Sequence, residues 1–467
     1  MLKPPLLFAT VAAFGLSAQL AQAQTVQPWL SGRGQPAIGL RAGDLELHPG
    51  VAGEVGYDSN YFQGAGIDPD WDVVEPLDPS IRVRITPSLL VNTARNSVRT
   101  AGAPPPRFDL SAKLIGRLDQ LWALDGEFGR SDSSNTSSRT LFGGDLSGTL
   151  NILPQRPWGA GISLNVVRDP QPAQDPGFLG QVAARTVVGG AAELRWRPGG
   201  GSLDWALGYG IRFTAYDVAS VGLDLLEHTV QTRGRWLFLP RTSLLYQAEA
   251  KFANYTNPGP DQTNSTPISA MLGLNGLLTS KLGLMLLGGW KSTFFSSPEN
   301  GAEVAGDYDG PVGRAELTWF ISGVGDSGAP VVDTGLSTLR VGYQRDANIS
   351  GVGDYYQMDR VFADLSYVSA SSLTLSLHGG VGWLRHPLHD DQVVIGGDRE
   401  IHEWRPEVGL FGEYRLTTSV AIFTNNSFSA SPKHNYIRLP LSDNGDQFND
   451  DLHFVRFTAL IGARWFM

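Results

Sequence analysis

The closest grouping of metal-binding residue types in the chain is His386-Pro387-Leu388-His389-Asp390-Asp391. Imidazole and carboxylate groups at such short spacing could hold a transition metal. No further ligand at a fitting spacing accompanies them, and they lie in an acidic stretch between two apolar segments. We therefore expect a solvated loop here, and the sequence predicts neither a metal site nor a cofactor.

Residue patterns that could perform catalysis are weak as well. The chain has no G-x-S-x-G motif, the usual signature of a serine hydrolase, and no cysteine that could be a nucleophile or a thiolate ligand. Gly379-Gly380-Val381-Gly382 lies inside a predicted strand, whereas a nucleotide-binding loop joins a strand to a helix. Glu403 and Glu407 could face one another, but charged pairs of this kind also occur routinely inside β-barrels. The sequence thus predicts a protein that is not an enzyme.

Alternation of apolar and polar side chains organises the chain, most clearly between Ala184 and Asp217. In the second half of this stretch the residues of one parity are Leu203, Trp205, Leu207, Tyr209, Ile211 and Phe213. A strand sends alternate side chains to opposite faces, so one face is apolar. Pro198-Gly199-Gly200-Gly201 turns the chain between two such strands, which predicts a hairpin. The pattern recurs to the C-terminus without a helical layer to cover the apolar faces, so we expect lipid to cover them.

Composition agrees with a membrane β-barrel. The chain has 467 residues, 42% of them hydrophobic, and its mean hydropathy of −0.12 resembles that of a water-soluble protein. Lipid-facing and lumen-facing residues alternate in a barrel, so they cancel in any average. The net charge of −10 argues against nucleic acid as a partner.

The N-terminus has the features of a secretory signal peptide. Met1-Leu2-Lys3 is followed by an apolar run from Leu6 to Leu20 and by Ala21-Gln22-Ala23, a typical cleavage site. We predict a signal peptide over residues 1–23, a periplasmic lead-in over 24–43 and a barrel domain over 44–467. An exported chain whose strands alternate apolar and polar residues is expected in the outer membrane of a Gram-negative bacterium. We expect the barrel-assembly machinery to insert it.

The predicted fold is an all-β, antiparallel, up-and-down transmembrane barrel of about eighteen strands, with 16–18 plausible. Tight connections such as 198–201, 239–242 and 279–281 alternate with long ones such as 59–79 and 430–451. Short periplasmic turns and long external loops give this rhythm. Residues 95–107, 121–139 and 322–335 do not fit it clearly. Tryptophan and tyrosine residues near strand ends predict two aromatic girdles at the headgroup levels.

The polar face of the strands carries mixed charge in which arginine dominates. We predict that the pore lining includes Arg185, Glu193, Arg195, Arg197, Asp204, Arg212, Glu227, Arg233, Arg235, Glu249, Lys251, Arg314, Glu316, Arg340, Arg456 and Arg464. Cross-strand ion pairs account for many of these residues. The surplus of arginine could also guide anionic or polyhydroxylated solutes through a wet lumen.

The segment from Leu47 to Phe62, with G-Y-D-S-N at 56–60, and Arg84-Ile85-Thr86-Pro87-Ser88-Leu89 resemble a known family. The pattern is similar to the β-barrel porin-2 type outer-membrane family, in particular to the barrels that accompany exopolysaccharide export systems. The motif match covers about residues 45–92. The resemblance implies passage of a polysaccharide, with a periplasmic polysaccharide-export protein and an inner-membrane co-polymerase as partners. It implies no catalytic residue.

Three functions remain open from the sequence. The first is the outer-membrane channel of an exopolysaccharide secretion system. The second is a passive diffusion porin or uptake channel for small hydrophilic or anionic solutes. The third, from another class, is an outer-membrane hydrolase.

Overall fold

The computed structural model describes residues 39–61, 66–68, 73–75, 79–93, 107–125, 137–170, 184–217, 224–256, 263–296, 306–322, 337–350, 354–369, 372–388, 393–394, 400–433, 436–438, 449–451 and 453–467. The predicted signal peptide and most of the lead-in lie outside these residues. Among the described residues, no helix is long and apolar enough to cross a membrane.

Eighteen long strands form the barrel, and we number them in chain order. The first nine are β1 (Leu45–Asp58), β2 (Ser80–Thr93), β3 (Phe108–Ala123), β4 (Ser138–Ile152), β5 (Trp158–Asp169), β6 (Arg185–Trp196), β7 (Leu203–Tyr216), β8 (Leu225–Leu239) and β9 (Thr242–Tyr255). The other nine are β10 (Ser265–Leu277), β11 (Leu282–Phe295), β12 (Tyr308–Ser322), β13 (Ser337–Ile349), β14 (Tyr355–Ser369), β15 (Leu373–Pro387), β16 (Glu400–Arg415), β17 (Val420–Ser431) and β18 (Phe454–Phe466).

Each strand pairs antiparallel with its neighbour in sequence, and the last pairs with the first. In that closing pair Val55 of β1 lies opposite Ile461 of β18. The sheet is therefore closed and has no unpaired edge strand, which is the condition for a sheet to span lipid. The predicted eighteen-strand, up-and-down barrel is confirmed.

The two faces of the sheet differ as the alternation predicts. Leu207, Tyr209 and Ile211 of β7 are each more than two-fifths exposed, and exposed apolar side chains of this kind cover the outside of every strand. Tryptophans stand near the strand ends on the same face, among them Trp236, Trp319, Trp383, Trp404 and Trp465. An apolar exterior bounded by aromatic residues is the surface of a barrel embedded in a bilayer.

Tight turns lie at one end of the barrel. Pro198–Gly201 forms a single 3-10 turn between β6 and β7, and Gly201 takes a φ of +99°, which favours glycine. Only two residues separate β8 from β9. The described connections thus follow the predicted alternation of short periplasmic turns with longer external segments.

Some strands are longer than the sequence predicted. Leu40–Ala42, placed in the lead-in, pairs with the start of β1, and Gly43 turns the chain there at a φ of +64°. β3 continues to Ala123 and β4 starts at Ser138, so both strands extend into the ambiguous stretch 121–139. β15 continues to Pro387 and therefore includes the first two residues of the solvated loop predicted from His386 to Asp391.

Candidate functional site

Charged side chains on the inner face of the barrel form the candidate site. The alternation places the predicted pore-lining residues opposite in parity to the exposed apolar ones, for example Arg212 between Ile211 and Phe213. Most of these residues form ion pairs, either within one strand or with strands one or two positions away. That they line a water-filled path stays a prediction.

Carboxylates of the inner face are repeatedly shared by two cations. Glu193 of β6 is buried and accepts hydrogen bonds from Arg195 and from Arg233, the latter at 2.6 Å. Arg195 also donates to the Asn151 side chain at 2.9 Å. One negative charge is thus balanced against two positive ones.

The same arrangement recurs around Glu227 and Glu413. Glu227 of β8 accepts a hydrogen bond from Arg212 and lies 3.3 Å from the Lys251 ammonium. Glu413 of β16 accepts two hydrogen bonds from Arg464, both at 2.7 Å, and lies 3.6 Å from the Arg415 Nε. Arg197 and Asp204 form a simpler pair at 3.1 Å.

Near mid-height, three arginines surround one aromatic ring. Phe362 lies at the centre of β14 and is buried, with the guanidinium carbons of Arg314, Arg340 and Arg360 between 5.4 and 5.8 Å from its ring centre. These distances allow cation–π contacts, and the packed ring holds the long side chains against the wall. Arg340 keeps 42% of its side chain exposed, so its charge faces the lumen.

Carboxylates flank the three arginines. Glu316 lies 2.8 Å from Arg314 and 3.8 Å from Arg340, so it too is shared. Arg340 also donates to Asp364 at 2.6 Å. The row continues through His378, whose ring nitrogens face Asp364 and Glu407, and ends where Arg360 contacts Glu407. The result is a continuous charged row across β12 to β16.

A second network is fully buried in β1, β2, β3 and β18, at the end of the barrel that is predicted to be extracellular. Asp119 accepts two hydrogen bonds from Arg82, both at 3.0 Å, and one from Arg84 at 2.7 Å. Asp58 accepts two from Arg456 and lies 3.6 Å from Arg82. These side chains are at most 7% exposed.

Tyr61, which follows β1, covers part of this network. Its ring lies 5.3 Å from the guanidinium carbons of both Arg82 and Arg456, and it is fully buried. Burial raises the pKa of the Tyr61 phenol, which therefore stays protonated and can donate to the Pro170 carbonyl at 3.5 Å. Since Pro170 follows β5, the contact spans the inner side of the mouth over several strands.

The opposite side of the mouth is packed in a similar way. Thr263, between β9 and β10, donates to Asp354, between β13 and β14, at 2.6 Å, and both are buried. Phe295 and Tyr355 stack with ring centres 6.1 Å apart. On two opposite sides of the barrel, contacts at this end thus join residues that lie beside strands three or four positions apart.

His386 does not behave as the sequence suggests. It lies within β15, fully buried beside Glu403 at 3.5 Å and the Tyr356 ring at 5.4 Å, rather than in a solvated loop. That expectation was wrong for His386, because the strand continues further than its alternation indicates. His389, Asp390 and Asp391 lie outside the described residues. Within the described ranges no three metal-ligating side chains come together.

Some of the predicted pore-lining residues have the inward parity but no ion-pair partner. Among the described residues, Arg185, Arg235 and Glu249 form no ion pair within 4.0 Å. Sequence reasoning missed the role of Phe362 and His378, although their inward parity on β14 and β15 could have indicated it. Glu403 and Glu407, considered as a facing acid pair, are paired instead with Arg405 and with Arg360.

No protein-family model matches the chain, and no curated protein matches it in sequence. Solved structures that resemble it include a BenF-like porin from Pseudomonas fluorescens Pf-5, with 14% identity and a TM-score of 0.43 over 91% of this chain and 99% of that one. OccK7 (OpdD) of Pseudomonas aeruginosa has 15% identity and a TM-score of 0.41 over 91% and 99%. OccAB3 of Acinetobacter baumannii has 11% identity and a TM-score of 0.40 over 91% and 100%.

At this level of similarity, conclusions on the protein depend on its own geometry. Its sheet is closed, its exterior is apolar, and its interior is charged. The protein is an outer-membrane β-barrel. Which solute enters its lumen is a separate question.

Proposed function

We propose that the protein is a passive channel for small hydrophilic solutes that prefers anions. The observation that carries this proposal is the sharing of single carboxylates by two cations, at Glu193, Glu227, Glu316 and Glu413. At Glu193, Glu227 and Glu413 this leaves a local excess of positive charge on the inner wall. At Glu316 the second carboxylate on Arg340, Asp364, offsets that excess.

Charge excess of this kind has a direct effect on permeation. A lumen with low-dielectric walls focuses the field of its charges and raises the local concentration of counter-ions. Arg340, half-exposed near mid-height beside Arg314, is best placed to meet a passing anion. Paired charges bind a solute weakly enough to release it, as permeation requires.

The packed extracellular mouth favours small solutes over a polymer. Tyr61 and Pro170 on one side, with Thr263 and Asp354 on the other, narrow the path at that end. The resemblance to exopolysaccharide-export barrels depends on residues 45–92. Asp58, Arg82 and Arg84 of that segment act in the buried network, which is a structural role that any barrel could use. The resemblance therefore does not separate export from diffusion.

Within the described part of the chain, the surroundings of His378 and His386 give the hydrolase alternative no support. His378 has both ring nitrogens facing carboxylates, and His386 is fully buried. Neither ring is free to take a proton from a nucleophile near a solute.

Two measurements test the proposal. The purified protein in a planar bilayer under a KCl gradient should give a reversal potential of the sign that indicates chloride preference. A strain without the gene should take up small organic anions more slowly while its surface polysaccharide stays at the parental level. Cation preference, or loss of polysaccharide with normal uptake, would reject the proposal, and the second result would favour export.

A further inference from the structure

One polar side chain on the outer face of the barrel lies where lipid cannot hydrogen-bond with it. Asn426 of β17 shares the outward parity of Ile422, and it lies between Leu410 of β16 and Ala459 of β18. On β18, Phe457 and Ile461 flank Ala459 on the same face, and both are exposed. Asn426 therefore faces the membrane rather than the lumen.

The strand registers give the depth of Asn426. At the periplasmic end, Val420 of β17 lies opposite Trp465. At the other end, Ser429 lies opposite Glu407, three residues from Trp404. That tryptophan is therefore level with position 432, one residue beyond β17. Asn426 is midway between these two levels. It is thus near the centre of the bilayer, where an unpaired polar group is most costly.

Hydrogen bonds within the chain satisfy only part of the carboxamide. Its Nδ2 donates to the Thr424 hydroxyl at 3.0 Å, and Thr424 in turn donates to the Leu460 carbonyl at 3.0 Å. Within the described part of the chain, the Asn426 Oδ1 has no hydrogen-bond donor. Thr232, another lipid-facing polar residue, differs because it donates directly to the Ala206 carbonyl.

We propose that a second copy of this chain packs against β16–β18 at Asn426. A carboxamide carries a donor and an acceptor, so the same group on a second copy supplies what each lacks, whereas lipid supplies neither. Contacts between identical surfaces around a two-fold axis bring such groups together. Ala459 beside Asn426 and Gly412 beside Thr424 are small, so the second barrel can approach closely. In contrast to Asn426, Leu272 and Leu286, which lie near the middle of their strands elsewhere on the lipid face, are exposed and apolar.

The absence of cysteine from the sequence allows a direct test. Asn426→Cys should form a disulfide-linked dimer in oxidised native membranes, and Leu272→Cys, on a distant part of the lipid face, should not. Heat-modifiable mobility shows that each variant is folded. Ala459→Cys serves as a second position that should also crosslink, since it lies directly opposite Asn426 and changes the volume little.

Asn426→Leu supplies the complementary measurement. It removes the amide but fits the lipid, so the barrel should fold and run as a monomer in mild detergent where the parent runs as a dimer. The inference is overturned if the parent is monomeric in native membranes, if Asn426→Cys and Leu272→Cys crosslink equally, or if the leucine variant remains dimeric. The lumen plays no part in this test, so its result is independent of solute selectivity.

Discussion

Arg456 on the last strand donates two hydrogen bonds to Asp58 at the end of the first, with Nε–Oδ1 and Nη2–Oδ2 distances of 3.0 and 2.6 Å. At the opposite end of the same seam, the Met467 amide donates to the Pro49 carbonyl at 3.0 Å. The two strands that close the barrel are therefore fastened at both ends. Because the Asp58–Arg456 pair is buried, loss of Arg456 leaves the buried Asp58 carboxylate with only the longer contact to Arg82, at 3.6 Å, among these ion pairs.

Arg456→Gln should destabilise the barrel. Removing one member of a buried ion pair typically costs about 3–5 kcal/mol. The temperature at which heat-modifiable mobility is lost should fall clearly. Arg168→Gln is the matched control, because its pair with Asp217 is more than two-fifths exposed and such pairs contribute at most about 1 kcal/mol. Equal shifts in both variants would contradict the role given to the seam.

Joint replacement of Arg195 and Arg233 by glutamine should also destabilise the barrel. From parity alone these arginines would be dispensable, since neither faces lipid. The structure instead places both on buried Glu193, which the double variant would leave without a cation. Adding Glu193→Gln should restore much of the lost stability. Thermal unfolding of the double and triple variants tests this, and the absence of rescue would mean that the arginines act through packing.

Leu207→Arg and Gly208→Arg should have opposite outcomes although the residues are adjacent. Arginine on the lipid face costs about 2–4 kcal/mol near the midplane, so Leu207→Arg should impair assembly. Position 208 faces inward, where an added Cβ would meet the flexible Gln231 side chain at 3.4 Å. Gly208→Arg should therefore fold and reduce conductance. Loss of heat-modifiable mobility in both variants would show that the inner wall has no room there.

A tag inserted at Gly200 should be inaccessible to antibody on intact cells, and tags at Gly64 or Asp446 should be accessible. Gly200 lies in the tight turn between β6 and β7, at the end assigned to the periplasm. The other two positions lie outside the described residues, in the sequence between β1 and β2 and between β17 and β18. Labelling of Gly200 alone would reverse the orientation.

Alternation in the sequence was sufficient to predict the strands and their faces, because each side of the sheet has a different solvent. Leu207 and Gly208 illustrate this, since their surroundings follow from parity alone. The partners of the charged residues did not follow, because a shared carboxylate such as Glu193 depends on the relative register of β6 and β8, which alternation along a single strand does not give. His386 shows the same limit at a strand end, where parity no longer distinguishes a loop from a covered strand.

The charged row across β12 to β16 should determine ion preference. Its arginines and its carboxylates should act in opposite directions. Arg340→Gln removes the most exposed guanidinium of the row and should shift the reversal potential away from the chloride equilibrium potential. Glu316→Gln removes the carboxylate that Arg314 and Arg340 share and should shift it further toward chloride.

Both shifts should decrease as salt concentration rises, since the Debye length is about 10 Å at 0.1 M and about 3 Å at 1 M. Arg168→Gln, on the outer face, should leave the potential unchanged. Shifts of the same sign in the Arg340 and Glu316 variants would mean that these side chains act through the space they occupy in the lumen rather than through their charge. In that case the preference for anions would have to arise elsewhere on the inner wall.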